Sequence, residues 1–288
     1  MRDAVLEYFE SFPDPSPVAV PIEPNQLDRI DDYLHYGWSW HRYRYCYRYP
    51  ERLRILDAGC GTGLTTLGLA RLNPGAAVLG LDASPRSLEL AARRAETVGR
   101  LDVDFRQHDL DTPLPGGLGP FDFVVCRRVL GLVADPVRVL EHLARALDDR
   151  GLLLATFPAR EGRRPIRQMR RAVEVLSTPA MGPTERADLG LELFRLLRPD
   201  HPIRQFETRH SGPAGPNRER FLRTYLGPDE RDWDLADAIA TLEQAGLKFL
   251  YVATGRPWRP DLAFLPGASE SLQNRVADLS DQDRALLI

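Results

Sequence analysis

Apolar residues in the middle of the chain fall into short runs that are separated by longer segments with helical spacing. The runs lie at residues 54–57, 77–81, 121–126 and 151–157, and a further strand is predicted at 103–107, where Val103 and Phe105 alternate with polar residues. Short, nearly continuous apolar runs are typical of strands that are buried on both faces, and segments with apolar residues three or four apart are typical of helices. Their alternation predicts an α/β fold: a doubly wound, mostly parallel sheet with helices on both faces.

The same pattern divides the chain into four parts. Residues 1–50 are an N-terminal segment rich in proline and then in aromatic residues, with a helix expected over 27–34, and residues 51–158 carry the alternating pattern. Residues 159–230 interrupt it with two helical patterns and a loop-rich passage, which predicts a helical insertion over the active site. Residues 231–288 return to the core with a helix, a sixth strand over 247–253 and a C-terminal tail.

A glycine-rich loop follows the first predicted strand, with glycine at every second position from Gly59 to Gly63 and Asp57 two residues ahead of it. A strand, a glycine turn and a helix form a nucleotide-binding arrangement, because glycine allows close approach of the backbone and the helix N-terminus offers N–H groups. The dinucleotide fingerprint needs its third glycine at the position of Leu64. This spacing disfavours an NAD-dependent oxidoreductase.

Two further carboxylates follow neighbouring strands. Asp82 ends the second predicted strand, and Asp109 comes just after the third, followed by Leu110. The carboxyl ends of parallel strands meet at one edge of the sheet, where ligands bind, and a carboxylate there can accept hydrogen bonds from both ribose hydroxyls. An edge lined by acids suits a single nucleoside without phosphate better than a dinucleotide.

Residues 54–158 resemble the core of class I S-adenosylmethionine-dependent methyltransferases. The stretches that carry the resemblance are ILDAGCGTG (55–63), LGLDASPRSLELA (79–91) and the segment from Gln107 to Pro158. The resemblance implies a Rossmann-like fold, S-adenosyl-L-methionine as cofactor and S-adenosyl-L-homocysteine as product. The cofactor-binding residues that it implies are Asp57, Gly59, Cys60, Gly61, Gly63, Asp82, Ala83, Asp109, Leu110 and Cys126.

The resemblance implies a role for most of these residues. Asp57 orders the loop, whose residues 59–61 approach the methionine part, and Cys126 lies near the methionine amino group. Asp82 holds the ribose, and Asp109 with Leu110 holds the adenine. A weaker likeness at 32–37 and 221–250 extends to a group of bacterial methyltransferases of poorly defined substrate. Many small-molecule members carry paired histidines where Gly131 and Leu132 stand here, so the catalytic residues stay unassigned.

Candidates for contact with the methyl acceptor lie in three places. An aromatic and arginine-rich stretch at 35–49 either covers the core or forms a lid over the ligand. Arg127 and Arg128 either bind an acidic substrate group or have a structural role, and the arginines of 160–171 are either solvated or bind an acidic substrate. The residues singled out are His35, Tyr36, Trp38, Trp40, Arg127 and Arg128, with His210 and Tyr225 as weaker candidates.

Composition narrows the class of protein. The net charge of −3 gives no general attraction to nucleic acid, and the three cysteines lack metal-type spacing and suit a reducing compartment, so we expect a cytoplasmic protein without a metal. The first twenty residues predict neither a signal peptide nor a membrane span. The expected acceptor is a small molecule or a protein side chain. The alternatives are a non-catalytic S-adenosylmethionine-binding module and, less favoured, an RNA methyltransferase.

Overall fold

The computed structural model describes residues 3–14, 34–37, 39, 50–99, 102–212, 214–253 and 269–279. The helix expected over 27–34, apart from Leu34, and the aromatic residues Trp38 and Trp40 lie outside this part of the chain. The chain divides into two units, one formed by Met1–Phe157 with Trp233–Ile288 and the other by Pro158–Asp232. In the described ranges no helix is long and apolar enough to cross a membrane.

The first unit is built on a sheet of five strands, all paired in parallel in the order β3-β2-β1-β4-β5. The strands are β1 (Arg54–Ala58), β2 (Ala77–Asp82), β3 (Val103–Gln107), β4 (Phe121–Cys126) and β5 (Leu147–Ala155). The predicted doubly wound, Rossmann-like architecture is therefore confirmed. β5 begins four residues earlier than expected, and its pairing with β4 shifts register between Phe121 and Phe123.

Helices cover both faces of this sheet. They are α2 (Leu64–Leu72), α3 (Pro85–Thr97), α4 (Pro136–Arg145) and α9 (Leu235–Gln244). The unit also contains α1 (Asp3–Ser11), which contacts α3, and an exposed helix near the C-terminus, α10 (Glu270–Ala277). One face of β1 packs Leu56 and Ala58 into a cluster with α4 and α9, and the opposite face packs Ile55 with α2. Burial of both faces explains why the inner strands β1, β2 and β4 are mostly apolar, whereas the edge strand β3 carries exposed polar residues.

The predicted sixth strand is wrong. Residues 247–253 are described and form neither a strand nor a helix. Leu247 packs on the core cluster at one sheet face and Leu250 on the cluster at the other, and the Leu247 N–H donates to the carbonyl of Leu242 at the end of α9. The apolar residues of this run therefore cover the core and pair with none of the five strands in the part of the chain that the structure describes.

The second unit is a helical cluster with a core of its own. It contains α5 (Arg164–Leu176), α6 (Pro183–Leu196), α7 (Pro202–Ser211) and α8 (Arg218–Tyr225). The core includes Met169, Phe194 and Phe221. The passage expected to be loop-rich holds two of these helices, because Pro202 occupies the first turn of α7, where proline is tolerated, and Asn217 caps α8.

Candidate cofactor and acceptor site

The glycine-rich loop joins β1 to α2 at the carboxyl edge of the sheet. Gly59, Gly61 and Gly63 all have positive φ, at 80°, 52° and 80°. A Cβ on Gly59 would overlap Cγ2 of Val129, and a Cβ on Gly63 would lie 2.8 Å from Cβ of Ala91. The loop requires glycine both for its backbone conformation and for its close packing.

Hydrogen bonds within the protein use the N–H groups of this loop. Those of Gly59 and Cys60 donate to the carbonyl of Leu81, at 2.7 and 2.9 Å. The N–H of Gly61 donates to Oδ2 of Asp82 at 2.8 Å. The N–H of Thr62 donates to the carbonyl of Asp14 at 3.3 Å. A loop whose donors are bonded in this way is not a phosphate cradle.

Asp57 lies under the loop and is almost fully buried, with 1% of its surface exposed. Its Oδ2 accepts a hydrogen bond from the Thr66 hydroxyl at 2.7 Å. Burial raises the pKa of Asp57 from 3.8 to about 7, against the opposing effects of the Thr66 hydrogen bond and the charge of Arg127. The carboxyl group ties the end of β1 to the first turn of α2, a contact that agrees with an ordering role.

Asp82 is the carboxylate that links the loops. Its Oδ2 accepts from Gly61 N–H, and its Oδ1 accepts from Ser84 N–H at 2.9 Å. Each oxygen therefore keeps a second lone pair. Burial raises the pKa of Asp82, and these backbone hydrogen bonds oppose the rise. Ala83 beside it is buried, and its carbonyl accepts from the side chain of Gln107 at 3.2 Å.

Asp109 and Leu110 follow β3 at the same edge. Oδ1 of Asp109 accepts from the Asp111 N–H at 3.1 Å, and its carbonyl accepts from Thr112. Leu110 is 4% exposed, and its carbonyl oxygen lies 3.1 Å from Nδ1 of His142. The fold thus brings the predicted cofactor residues of β1, β2 and β3 to one sheet edge.

Cys126, Arg127 and Arg128 end β4 at this edge. The thiol of Cys126 is fully buried, and burial raises its pKa to about 12, while burial also raises the pKa of the Cys60 thiol. Neither cysteine is therefore an activated nucleophile. Arg128 is the one residue other than glycine with positive φ, at 60°, among those described, and its N–H donates to Oγ1 of Thr156 at 2.7 Å.

Residues 3–14 supply site contacts that the sequence did not reveal. We call this stretch the N-terminal strap. The carbonyl of Asp14 accepts from Thr62 N–H, and its carboxylate lies 2.9 Å from Nη1 of Arg128. Glu10 accepts hydrogen bonds from the Ser84 hydroxyl and, at 3.4 Å, from the Arg86 N–H. The available signal was a stretch with four acidic residues and no basic residue.

The described lid candidates lie elsewhere. Tyr36 is 3% exposed, its ring centroid is 5.9 Å from that of Phe123, and its N–H donates to Oδ1 of Asn73 at 2.8 Å. Asn73 follows the C-terminus of α2, at the sheet edge opposite the glycine loop. Tyr36 is therefore a core residue, which corrects its prediction as an acceptor contact. Its neighbour His35 is half-buried, and the His35 carbonyl accepts from Ser39 N–H.

The arginine face of the second unit is largely neutralised by acids of that unit. Arg160 and Arg167 pair with Asp232, Arg163 pairs with Glu230 at 3.0 Å, and Arg170 pairs with Asp229 at 3.3 Å. These pairs attach α5 to the segment that ends the unit. They account for the arginine cluster without an acidic substrate.

The two weaker candidates also have structural surroundings. Tyr225 is fully buried, and its hydroxyl donates to Glu207 at 2.7 Å. His210 contacts the carbonyl of Phe206 one helical turn earlier, at 2.7 Å, and its ring packs on that phenylalanine. Both residues therefore contribute to the packing of the second unit.

Known proteins resemble this chain in sequence and in fold. A family model described as a methyltransferase domain matches residues 51–181. An uncharacterised protein of Synechococcus sp. is 35% identical over the whole chain, which covers 69% of that protein. The chain belongs to the class I S-adenosylmethionine-dependent methyltransferases. This confirms the family resemblance and S-adenosylmethionine as the cofactor.

Proteins that are named as methyltransferases match over part of their length. The ubiquinone biosynthesis O-methyltransferase of Methylocella silvestris is 41% identical over 114 residues, which are 40% of this chain and 43% of that enzyme. The structure of PKMT2 from Rickettsia typhi in complex with AdoHcy has a TM-score of 0.69 and 18% identity, over 89% of this chain and 50% of that one. The latter likeness is one of fold.

The residues at the sheet edge fit the cofactor of this family. The lone pairs that remain on Asp82 suit two ribose hydroxyls, and a loop whose N–H groups are bonded needs no phosphate. The carboxylates of Asp82 and Asp109, at the ends of β2 and β3, suit a ligand that carries positive charge. Arg128 adds a cation at the opposite side of the loop.

Proposed function

We propose that this methyltransferase transfers the methyl group of S-adenosylmethionine to an oxygen, nitrogen or carbon atom of a small molecule or a protein side chain. The observation that carries this proposal is Asp82, which accepts one backbone N–H on each oxygen and keeps a lone pair on each. In this assignment Asp82 binds the ribose, Asp109 and Leu110 border the adenine, and the loop from Gly59 to Gly63 borders the methionine part. Asp57 holds that loop in place through Thr66.

When bound, the cofactor supplies a methyl group already activated by the sulfonium charge. The protein therefore needs to align the acceptor for in-line displacement and to exclude water, and alignment of this kind contributes up to about 7–11 kcal/mol. The buried thiols of Cys60 and Cys126 support a mechanism without a covalent enzyme intermediate. The O-methyltransferase named among the relatives supports a hydroxyl acceptor.

Methyl-labelled cofactor and a cell extract provide the test. We expect label in a small molecule or in protein, and none with the Asp82→Ala variant, which loses the ribose acceptor. Label in RNA would reject the proposed acceptor class. Binding of S-adenosylhomocysteine to the wild type without any transfer of label would instead support the non-catalytic module.

A further inference from the structure

The N-terminal strap lies against three of the loops that form the candidate cofactor site. Asp14 contacts the glycine loop through its carbonyl and the end of β4 through its carboxylate, and Glu10 contacts the start of α3. A Cβ on Gly61 would lie only 2.5 Å from the Asp14 carbonyl oxygen, so the strap and the loop are in direct contact. The Asp14 carbonyl therefore fills the space beside Gly61 on the side where a Cβ would stand.

Arg128 is held in an unusual conformation on the other side of this contact. Its φ of 60° lies in the left-handed region, which is costly for a residue with a Cβ, and the Thr156 hydroxyl fixes its N–H. The arginine side chain is 66% exposed, whereas the carboxylate side chain of Asp14 that it contacts is only 15% exposed. The protein thus holds a guanidinium at the sheet edge with a carboxylate enclosed against it.

Guanidinium groups bind carboxylates through charge-assisted hydrogen bonds, often with both oxygens. We propose that Arg128 is a binding site for the carboxylate of a ligand, and that Asp14 occupies this site as an internal stand-in when the strap is closed. This inference rests on the proposed function. The ligand carboxylate belongs either to the methionine part of the cofactor or to the methyl acceptor.

A double-mutant cycle tests the competition between Asp14 and a ligand. The ligands are S-adenosylhomocysteine and 5′-methylthioadenosine, which lacks the amino-acid part, and calorimetry gives their affinities. The variants are Asp14→Asn, Arg128→Gln and the double variant. Glutamine at residue 128 has a polar side chain with a Cβ, so the cost of the left-handed backbone conformation stays the same, but it carries no charge.

If the carboxylate belongs to the cofactor, Asp14→Asn should raise the affinity for S-adenosylhomocysteine by about fivefold. The substitution removes the carboxylate that competes for Arg128, and a fivefold change corresponds to the strength of a partly exposed ion pair. Arg128→Gln should reverse this gain in the Asp14→Asn background and have a smaller effect in the wild type, where its charge is already shared with Asp14. The affinity for 5′-methylthioadenosine should not change in any variant.

For an acceptor carboxylate, the probe is benzoate, titrated by NMR into enzyme saturated with S-adenosylhomocysteine. Binding to Asp14→Asn that is lost in the double variant assigns the site to the acceptor. If neither S-adenosylhomocysteine nor benzoate depends on Arg128 in the Asp14→Asn background, the carboxylate site is overturned. If Asp14→Asn lowers the affinity for S-adenosylhomocysteine, Asp14 does not act as an internal stand-in for a ligand carboxylate.

The matched control is the ion pair of Asp135 and Arg138, whose atoms are 4.0 Å apart and whose side chains are 51% and 65% exposed. Asp135→Asn and Arg138→Gln should leave both nucleoside affinities unchanged, and an equal response to these changes would also overturn the assignment. Failure of the wild type to bind either nucleoside would remove the cofactor assignment itself. Normal binding without dependence on Arg128 or Asp14 would remove only the carboxylate site.

Discussion

Replacement of Asp57 by asparagine should change the way in which stability depends on pH. Asp57 is almost fully buried beneath the glycine loop, and burial raises its pKa from 3.8 to about 7. Asparagine has nearly the same shape and can still accept the hydrogen bond from Thr66, but it does not ionise. The substitution therefore removes the titration and keeps the packing.

The sign and size of the effect follow from proton linkage. Between pH 3.8 and about 7 the folded protein keeps the Asp57 proton, while the unfolded chain releases it. The free energy of unfolding of the wild type consequently falls as pH rises through this window. A pKa difference of about three units corresponds to about 4 kcal/mol. Asp57→Asn should therefore gain about 4 kcal/mol in stability relative to the wild type between pH 4 and pH 8.

Urea unfolding of both proteins at several pH values measures this difference, and subtraction cancels the titration of the other carboxyl groups. Thr66→Val provides a second arm: loss of the hydroxyl removes a hydrogen bond that lowers the pKa of Asp57, so the window should extend to higher pH. A difference between Asp57→Asn and wild type that stays within about 1 kcal/mol across the range would refute the burial argument.

Three further changes test the site and the second unit. Asp82→Asn should weaken binding of S-adenosylhomocysteine by about tenfold or more, measured by calorimetry, because the ribose loses a charged acceptor. Gly59→Ala should lower the free energy of unfolding by about 2–4 kcal/mol, because a Cβ there overlaps a neighbouring valine. The control is Gly75→Ala, at φ 82° with nothing within 4 Å of its Cβ, which should cost only about 1–2 kcal/mol. Equal losses in urea unfolding would contradict this reasoning. Glu207→Ala should destabilise the second unit by about 3–5 kcal/mol, because Arg220 and Tyr225 both lose their hydrogen-bond acceptor. Tyr225→Phe removes only one of these hydrogen bonds and should cost about 1 kcal/mol. Hydrogen exchange of the backbone amides in α7 and α8 should show the larger loss of protection in Glu207→Ala.

Local patterns were sufficient to predict the sheet and most of its edge. β1, β2 and β4, the three inner strands, are mostly apolar because helices cover both faces of the sheet, and this demand is visible in a few consecutive residues. Asp82 and Asp109 could be placed together because strand ends in a parallel sheet share one edge. Ser84 and Asp135 each precede a proline, a pattern typical of a helix start, and both side chains accept a hydrogen bond from a backbone N–H in the first turn.

Apolar character alone does not state what a residue packs against. The run at 247–253 has the composition of a strand, but its leucines cover the core from a segment without regular structure. Tyr36 looked like part of a lid because it stands in an aromatic stretch, and it packs in the core near Asn73. In both cases a contact distant in the sequence decides the outcome, and the local pattern is compatible with either result.

The glycine loop led to the correct class of ligand, but only part of the reasoning that linked the loop to that ligand agrees with the structure. Its spacing favoured a nucleoside over a dinucleotide, while its place before a helix suggested N–H groups ready for a ligand. The structure bonds the N–H groups of Gly59, Cys60, Gly61 and Thr62 to other parts of the protein. We therefore infer that selection of the ligand depends on carboxylates and on Arg128 more than on loop donors. One of those loop contacts, the carbonyl of Asp14, comes from the N-terminal strap, so a ligand that accepted the Thr62 N–H would have to displace the strap there.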